Sequence, residues 1–299
     1  MSSFTGALSR GSIQNGEGKD DGSLGIKRTA SGRIKTRVAN KSNTVLTLTL
    51  GSLALVTIIA FVIMDYGKVP LDQATFSALE DFGMMLLQPW LAGHFTLQDV
   101  ALGTLESLAL AALTTFIGAV IAFVLGLFAA MNLSNKAASN VIKAIMSVFR
   151  AVPTILWVLI FTVAIGLGPE AAVTGLLFHS IAYLVKAYSE SFEEVDPGVV
   201  EALRASGASW WQVVFQAIVP EKITEILSWT FIRFEINFVN AVAVGAVAGA
   251  GGVGYQLFLA GSFYYSIHEV GVIVYFCLAV AIILEVIATQ LRKRYIVQN

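Results

Sequence analysis

The sequence predicts an all-α integral membrane protein with six transmembrane helices. Its 299 residues are 56% hydrophobic and only 13% charged, whereas soluble domains contain about one quarter charged residues. Apolar stretches without any Asp, Glu, Lys or Arg divide the chain. Most of them approach the length needed for one crossing of a bilayer, about 20 residues. Composition and spacing together indicate a multi-pass membrane protein.

The N-terminal part is predicted to hold one transmembrane helix between two polar segments. Residues 1–43 are rich in Gly, Ser, Lys and Arg and have almost nothing to bury, which predicts a disordered basic tail. No charged residue lies between Lys41 and Asp65, so the first transmembrane helix is expected at residues 44–64. Residues 65–100 hold five acidic residues and one lysine, and are interpreted as an outward-facing loop with an interfacial helix.

Residues 101–291 are predicted to form the core of the protein, with five further spans and one long polar segment at residues 186–225. The five spans are expected, in order, within residues 107–135, 151–168, 171–185, 226–250 and 270–290. Residues 292–299 are expected to form a short C-terminal tail.

The distribution of Lys and Arg predicts which side of the membrane each polar segment occupies. Eight of the 19 basic residues precede the first span and three follow the sixth, whereas the outward loops hold essentially only Lys68. Basic residues concentrate on the cytoplasmic side of membrane proteins. Both termini and the segment 186–225 are therefore expected in the cytoplasm, as six crossings require.

The stretch EALRASGASWWQVVFQAIVP, residues 201–220, predicts a pair of short helices joined at a glycine. An Asp-Pro pair at Asp196 is typical of a helix start, with the Asp side chain as the N-cap. Gly207 lowers helix propensity by about 1 kcal/mol and so separates the two helices. Ser209 can cap the second helix.

The second helix of this pair carries an apolar stripe on one side, at i, i+3, i+4, i+7 and i+8 spacing. The stripe consists of Trp210, Val213, Val214, Ala217 and Ile218. Pro220 is expected to end the helix. Two interpretations fit such a stripe: an interfacial helix that lies on lipid, or a docking element presented to a cytoplasmic partner.

The same stretch resembles the EAA loop of binding-protein-dependent ABC importer permeases. Glu201, Ala202, Gly207 and Pro220 occupy fixed positions of that pattern, whereas Leu203 departs from it. In that family the loop inserts a short helix into a cleft of the ATPase subunit. The residues that the resemblance implies for ATPase coupling are Glu201, Ala202, Arg204, Gly207 and Pro220.

The resemblance also implies a fold and partners. It implies the transmembrane fold of a type I ABC importer, in the cytoplasmic membrane of a bacterium. Two ATPase subunits are expected as partners, each bound to one coupling loop at residues 197–220, so a second permease copy is expected in a homodimer. An extracytoplasmic substrate-binding protein would deliver the cargo. Nucleic acid is not an expected partner.

Catalytic chemistry is not expected on this chain. It contains no G-x-x-x-x-G-K-[ST] loop, so ATP and Mg²⁺ are expected on the partner ATPase and no cofactor here. No nucleophile–base pair or metal-ligand cluster stands out, and Cys277 is the only cysteine. Residues 249–254 fit G-x-G-x-x-G, but they follow a membrane span. We therefore interpret them as a turn with close backbone packing.

Charged residues within spans are costly and usually face a cavity or a partner. Arg233 and Glu235 are expected about 10–14 Å along the fifth span, and their two-residue spacing gives them different neighbours. Arg150 is either a partner of Glu235 or a boundary residue that extends toward water. His179 is interpreted as a hydrogen-bonded bundle residue rather than a ligand. The residues assigned to a translocation pathway are Arg150, Pro153, Trp157, Arg233, Glu235 and Asn237.

A finer resemblance, to the permease of phosphonate ABC importers, covers residues 70–295. It is carried by RAVPTILWVLIF (150–161), EEVDPGVVEALRASGAS (193–209) and RFEINFVNAVAVGAVAGAGGVG (233–254). The chain differs from many relatives at Val239, where they have arginine. The resemblance implies a small phosphorus oxyanion as cargo, with phosphonate ahead of phosphite and phosphate.

Other functions remain open from the sequence. Permeases for methionine or quaternary amines share the EAA loop, so the loop identifies the class of transporter and not its cargo. A secondary transporter without an ATPase would need inverted repeats and acidic residues near the midplane, for which Glu235 is a candidate. A membrane scaffold that recruits a different cytoplasmic protein is the third alternative.

Overall fold

The computed structural model describes residues 41–63 and 71–295, and the regular elements within them are all helical. The predicted N-terminal tail lies outside these residues except for its last three. Residue 64 of the predicted first span, residues 65–70 of the predicted outward loop and residues 296–299 of the C-terminal tail lie outside them as well. The chain divides into two compact units, with the boundary after Thr75.

The first unit contains the transmembrane helix α1, and the boundary falls near the start of α2. In chain order the helices are α1 (Lys41–Ile63), α2 (Leu71–Leu87), α3 (Leu97–Ala129), α4 (Lys136–Ala151), α5 (Thr154–Ile165), α6 (Pro169–Glu193), α7 (Pro197–Ala205), α8 (Trp210–Val213), α9 (Val219–Ala248), α10 (Gly252–Phe258) and α11 (Ile267–Tyr295).

The prediction of an all-helical protein with six spans is confirmed within the described residues. Five segments are long and apolar enough to cross a membrane, and the number is six when the bent pair of α4 and α5 is counted as one span. The five segments are Thr44–Ile63, Leu97–Ala129, Pro169–Glu193, Trp210–Ala248 and Ile267–Gln290.

The third span was expected at residues 151–168, whereas α5 covers only Thr154–Ile165. It is interrupted between α4 and α5, whose axes meet at 85°. Pro153 has no amide hydrogen to donate to the carbonyl of Phe149, four residues earlier. The indole N–H of Trp157 donates to that carbonyl instead, at 3.1 Å. The carbonyl of Phe149 is therefore hydrogen-bonded despite the bend, and the bend does not carry the cost of an unpaired carbonyl.

Helix α6 packs closely along α3, and the two helices run parallel. A Cβ atom at Gly118 would lie 3.2 Å from the Ser180 Cβ, and one at Gly126 would lie 3.1 Å from the Tyr188 Cβ. Both pairs have the same sequence offset, which is the register of a parallel contact. The second and fourth spans must cross the membrane in the same direction, so this contact agrees with the predicted order of spans.

The expectation that Pro220 ends the helix of the apolar stripe is wrong. After α8 the chain makes a π-helical turn at Val214–Ile218 and continues directly into α9. In this turn the N–H of Val219 donates to the carbonyl of Val214. Pro220 is the second residue of α9 and so lies directly after the π-helical turn, inside a continuous helical segment.

The glycine-rich residues 249–254 form the turn and the close contact that the sequence predicted. Gly249 ends α9 with φ of 58°, a left-handed conformation that favours glycine. A Cβ atom at Gly254 would overlap the carbonyl of Val242 on α9. The Glu106 carboxylate accepts the N–H of Gly252 at 2.8 Å and so caps the start of α10.

The predicted outward loop contains α2 and then a strap that is bound to the start of α11. The carboxylate of Glu269 is fully buried and accepts the backbone N–H groups of Ala92, at 3.0 Å, and His94, at 3.1 Å. The His94 ring lies 2.9 Å from the same carboxylate and stacks on Tyr264. These contacts satisfy the buried charge and fix the strap.

Replacement of Gly175 by Ala should destabilise the fold. A Cβ atom there would lie 2.5 Å from the Cα of Val158, so α5 and α6 would have to separate. Overpacking of this kind costs about 1–3 kcal/mol. The measurement is thermal unfolding of the purified protein in detergent.

The matched control is Gly83→Ala, a helical position with nothing within 4 Å of the added methyl group. It should leave stability unchanged or raise it, because Ala favours a helix by about 1 kcal/mol over Gly. Equal melting temperatures for the two variants would contradict the close contact between α5 and α6.

Candidate functional site

Two features of the described residues are candidates for function: the helix–glycine–helix segment and a buried polar network inside the bundle. The segment has the predicted local structure. The Asp196 carboxylate accepts the N–H of Gly198 at 2.8 Å and caps α7. Gly207 has φ of 83°, in the left-handed region, and forms the turn. Ser209 and Gln212 form a reciprocal capping box at the start of α8.

The apolar stripe of this segment packs against the protein itself. Val213, Val214 and Ile218 are at most 1% exposed, and Ala217 is 7% exposed. The first three belong to a core cluster with residues of α3, α4 and α6, among them Phe192. The stripe therefore neither lies on lipid nor docks on a partner, because these side chains are already covered by protein.

The other side of the segment is exposed. It carries all the residues that the resemblance implied for ATPase coupling, namely Glu201, Ala202, Arg204, Gly207 and Pro220. Two aromatic residues that the sequence analysis did not assign are exposed there too. Trp211 and Phe215 stack on each other with their ring centroids 5.8 Å apart. The surface thus combines charged, small and aromatic groups, a composition that suits a protein partner.

Hydrogen bonds tie the segment to the turn between α3 and α4. The Arg204 Nη2 donates to the carbonyl of Asn132 at 3.0 Å, and the Trp210 indole donates to the carbonyl of Leu133 at 2.8 Å. The Glu193 carboxylate, at the end of α6, accepts from the N–H of Met131 at 2.8 Å. Displacement of the segment would therefore also displace the ends of α3 and α6.

The second candidate feature is centred on Arg233, which is only 1% exposed. Its Nε donates to the Ser180 hydroxyl at 3.1 Å, and its guanidinium carbon lies 5.3 Å from the centre of the Tyr183 ring. Its Nη2 is buried and has no hydrogen-bond acceptor among the described residues. A buried cation with an unused donor is energetically costly unless something accepts from it.

Arg233 lies near the middle of α9, about 21 Å from the start of the helix at Val219. The expected 10–14 Å was counted from residue 226, where the apolar span was predicted to begin.

A chain of hydrogen bonds extends from Arg233 through three helices. The Ser180 hydroxyl on α6 donates to the Asn237 Oδ1 at 3.0 Å. The Asn237 amide donates to the Thr115 hydroxyl on α3 at 2.9 Å, and Thr115 in turn donates to the carbonyl of Ala111. The network orients Asn237 and Ser180 and holds Arg233 by its Nε. The Nη2 of Arg233 is left without an acceptor among the described residues.

The other residues assigned to the pathway lie at the α4–α5 bend or on a different side of α9. Arg150 is half-buried in the last turn of α4 and donates to the carbonyl of Ala182 at 3.4 Å. Trp157 stacks on Phe178 of α6, with ring centroids 4.8 Å apart. Glu235 is half-buried on α9, and its pairing with Arg150 stays a prediction. Helix α6 thus contacts both the residues at the α4–α5 bend and Arg233 on α9.

Three members of the network, Thr115, Ser180 and Tyr183, were not found from the sequence. Each is a single polar residue within an apolar run, and most such residues only bond to their own helix backbone. The one available signal was the spacing of Arg233 and Asn237, which places both on one face of α9. No group of three His, Cys, Asp or Glu residues within the described ranges could hold a metal ion.

A family model described as "Binding-protein-dependent transport system inner membrane component" matches residues 122–297, which is more than half of the chain. The match includes the helix–glycine–helix segment and the Arg233 network except for Thr115.

Several relatives have names that describe transport. The chain is 35% identical over 161 residues to the phosphate-import permease protein PhnE of Mycolicibacterium smegmatis, covering 54% of this chain and 30% of that protein. It is 31% identical over 193 residues to the phosphite transport system permease protein PtxC of Stutzerimonas stutzeri, covering 64% and 69%. The methionine import system permease protein MetP of Bacillus subtilis is 29% identical over 133 residues, covering 42% and 60%. The chain thus spans less than a third of the length of the first of these relatives.

Solved structures share the fold. The inward-facing MetNI methionine ABC transporter superposes with a TM-score of 0.60 at 20% identity, covering 66% of this chain and 96% of that chain. A bacterial ABC transporter for alginate superposes with a TM-score of 0.57 at 13% identity, covering 85% and 98%.

Replacement of Trp210 by Phe should loosen the helix–glycine–helix segment. The variant loses the hydrogen bond to Leu133 but keeps a ring that can stack on Phe128. A lost bond of this kind lowers the free energy of unfolding by about 1 kcal/mol. Thermal unfolding and limited proteolysis near residue 207 would report the change.

Trp211→Phe is the matched control, because the Trp211 side chain is 58% exposed. Exposed substitutions usually change stability by less than about 0.5 kcal/mol. If both variants were cleaved equally fast, the bond to Leu133 would not be what holds the segment.

Proposed function

Because the chain belongs to the family of inner membrane components of binding-protein-dependent transport systems, we propose that it is the permease subunit of an ATP-driven importer of a small phosphorus oxyanion. Phosphonate is the first candidate cargo, and phosphite and phosphate are the others. The chain has no nucleotide-binding loop, so a separate ATPase binds ATP and Mg²⁺.

One observation carries the proposal for the cargo: the guanidinium of Arg233 is buried in mid-bundle with an unused Nη2 donor. A cation in such surroundings is best compensated by an anion, and guanidinium groups match the oxygens of phosphorus oxyanions in geometry. The names of the phosphate and phosphite permeases among its relatives support the same class.

The exposed face of α7 and α8 is proposed to bind the ATPase. Its position in the EAA-like stretch supports this, and the Lys and Arg distribution puts it in the cytoplasm. Closure of two ATPase subunits on ATP would push on residues 197–220. The push reaches α9, and with it Arg233, because α8, the π-helical turn and α9 are continuous.

The full transporter is proposed to contain two copies of this chain, two ATPase subunits and an extracytoplasmic binding protein. One coupling loop serves one ATPase subunit, which supports a homodimer. The two copies would rock between inward-open and outward-open states. Selection of the cargo would fall mainly to the binding protein, so the permease need not bind it tightly.

Methionine is the second candidate cargo, because methionine permeases are also among the relatives. It is zwitterionic at neutral pH and brings no net charge to compensate Arg233. The buried cation therefore favours the oxyanion.

Gly207→Pro and Glu201→Lys should each uncouple ATP hydrolysis from uptake while leaving membrane insertion intact. Proline cannot adopt the φ of 83° found at Gly207, so the turn would be lost. Lysine would reverse the charge at an exposed position of the proposed interface. Uptake and ATPase activity would be measured in proteoliposomes that contain the whole transporter.

The control is Glu190→Lys, an exposed charge reversal on α6 outside the coupling segment. It should leave the ratio of uptake to hydrolysis unchanged. Normal coupling in both test variants would rule out the proposed role of residues 197–220.

The cargo is tested by the ATPase activity of the reconstituted transporter, titrated with methylphosphonate, phosphite, phosphate and methionine. We expect stimulation by at least one phosphorus oxyanion and none by methionine. Arg233→Gln should raise the half-saturating concentration of that anion about tenfold or more, because a charged hydrogen bond is lost.

Stimulation by methionine alone would keep the assignment as a permease and reject the oxyanion. Failure of any ATPase to co-purify with the chain would reject the importer itself.

A further inference from the structure

His179 is a half-buried residue that the functions described so far do not use. It lies in the middle of α6, and its Nδ1 is buried with no hydrogen-bond partner among the described residues. The sequence interpretation of a hydrogen-bonded bundle residue is therefore wrong for this nitrogen. An imidazole nitrogen without a partner in apolar surroundings costs free energy, which suggests that another group binds there.

The turn of α6 that follows His179 contacts both Arg150 and Arg233. The ring of Tyr183, one turn along the same face, lies under the guanidinium of Arg233 at 5.3 Å. The carbonyl of Ala182 accepts from Arg150 at 3.4 Å. His179 is thus within one turn of α6 from the contacts of two cations, one from α4 and one from α9.

The walls next to His179 are aromatic. Phe178 stacks on Trp157 at 4.8 Å and packs against Phe149 and Phe161, each with ring centroids 5.2 Å away. An aromatic cluster of this kind lowers the local polarity and strengthens electrostatic interactions beside it. An anion of two negative charges would compensate both arginines.

We propose that His179 is a specificity-determining residue of an anion site between α6 and α9. In this arrangement the Nδ1–H of His179 donates to one oxygen of a phosphorus oxyanion and the Arg233 Nη2 donates to another, with Arg150 as a further compensating charge. The proposal rests on the function proposed above and adds a residue to it.

The number of oxygens explains why a histidine would matter for selection. A carboxylate offers two oxygens, which a single guanidinium can bind by itself. A phosphonate, phosphite or phosphate dianion offers three or more oxygens on a tetrahedral centre. The Nε of Arg233 is already engaged by Ser180, so a further oxygen needs a donor from another helix. His179 supplies it.

Three variants of His179 separate this role from simple packing. His179→Asn places an amide nitrogen at the position of Nδ1, whereas His179→Gln places it at the position of Nε2. His179→Leu removes both. Each variant is reconstituted in the whole transporter, and ATPase stimulation is titrated with methylphosphonate, phosphite and phosphate. Thermal unfolding of each variant checks its fold.

We expect His179→Leu and His179→Gln to raise the half-saturating concentration about tenfold, and His179→Asn to stay within about threefold of the unchanged protein. Equal half-saturating concentrations for all three variants and the unchanged protein would overturn the role of His179. The proposed function would still stand in that case, because the unchanged protein would be stimulated by an oxyanion. If the unchanged protein responded to no oxyanion, the proposed function itself would fall.

A second measurement needs no variant. The chain contains three histidines, so the ring signals are few enough to resolve when ¹⁵N-histidine is incorporated into this chain alone and the unchanged transporter is reconstituted in lipid. Methylphosphonate should shift one ring toward the Nδ1–H form. If all three signals stayed constant at concentrations that saturate the ATPase response, the proposal would be rejected even if every variant failed to fold.

Discussion

The fold depends on how closely α6 approaches its neighbours. Within a membrane there is no hydrophobic force between helices, so they associate through tight packing and polar contacts. Gly118 and Gly126 let α3 approach α6, and Gly175 lets α5 approach it. Ser180 of α6 lies against Gly118 and is also within hydrogen-bond reach of Arg233 and Asn237 on α9. Larger residues at these glycines would push α3 and α5 away from the helix that carries Ser180.

Close packing also decides what the buried charge can do. Arg233 is held by its Nε, and its guanidinium lies on Tyr183, so its position is fixed before any ligand binds. Such preorganisation lowers the entropy cost of binding. What remains unsatisfied is the Nη2, which has no acceptor among the described residues. Under the proposed function an arriving anion would accept from it, whereas a site fully satisfied by its own protein would not select an anion.

Much of the architecture could be predicted from the sequence because it follows from local rules. Charge-free runs predicted the spans, and Asp196, Gly207 and Ser209 predicted the helix pair and its turn. The errors have one origin, namely compensation by residues distant in the fold or in the next turn. The Trp157 indole replaces the hydrogen bond that Pro153 cannot make, and the π-helical turn carries the helix past Pro220. The partners of Arg233 lie on other helices, and no single-sequence pattern specifies which turns meet.

The continuity between α8 and α9 joins the two candidate features mechanically. Force applied to the exposed face of the segment has two routes into the bundle. One runs through Arg204 and Trp210 to the turn between α3 and α4, and the other runs along α9 to Arg233. The Arg233 network is bonded to both α3 and α9 through Thr115 and Asn237. A push that shifts the two helices by unequal amounts would break this network first, because hydrogen bonds weaken steeply as their geometry departs from the optimum. Release of the cargo would then follow from loss of alignment around Arg233, with no need for a group that titrates or reacts.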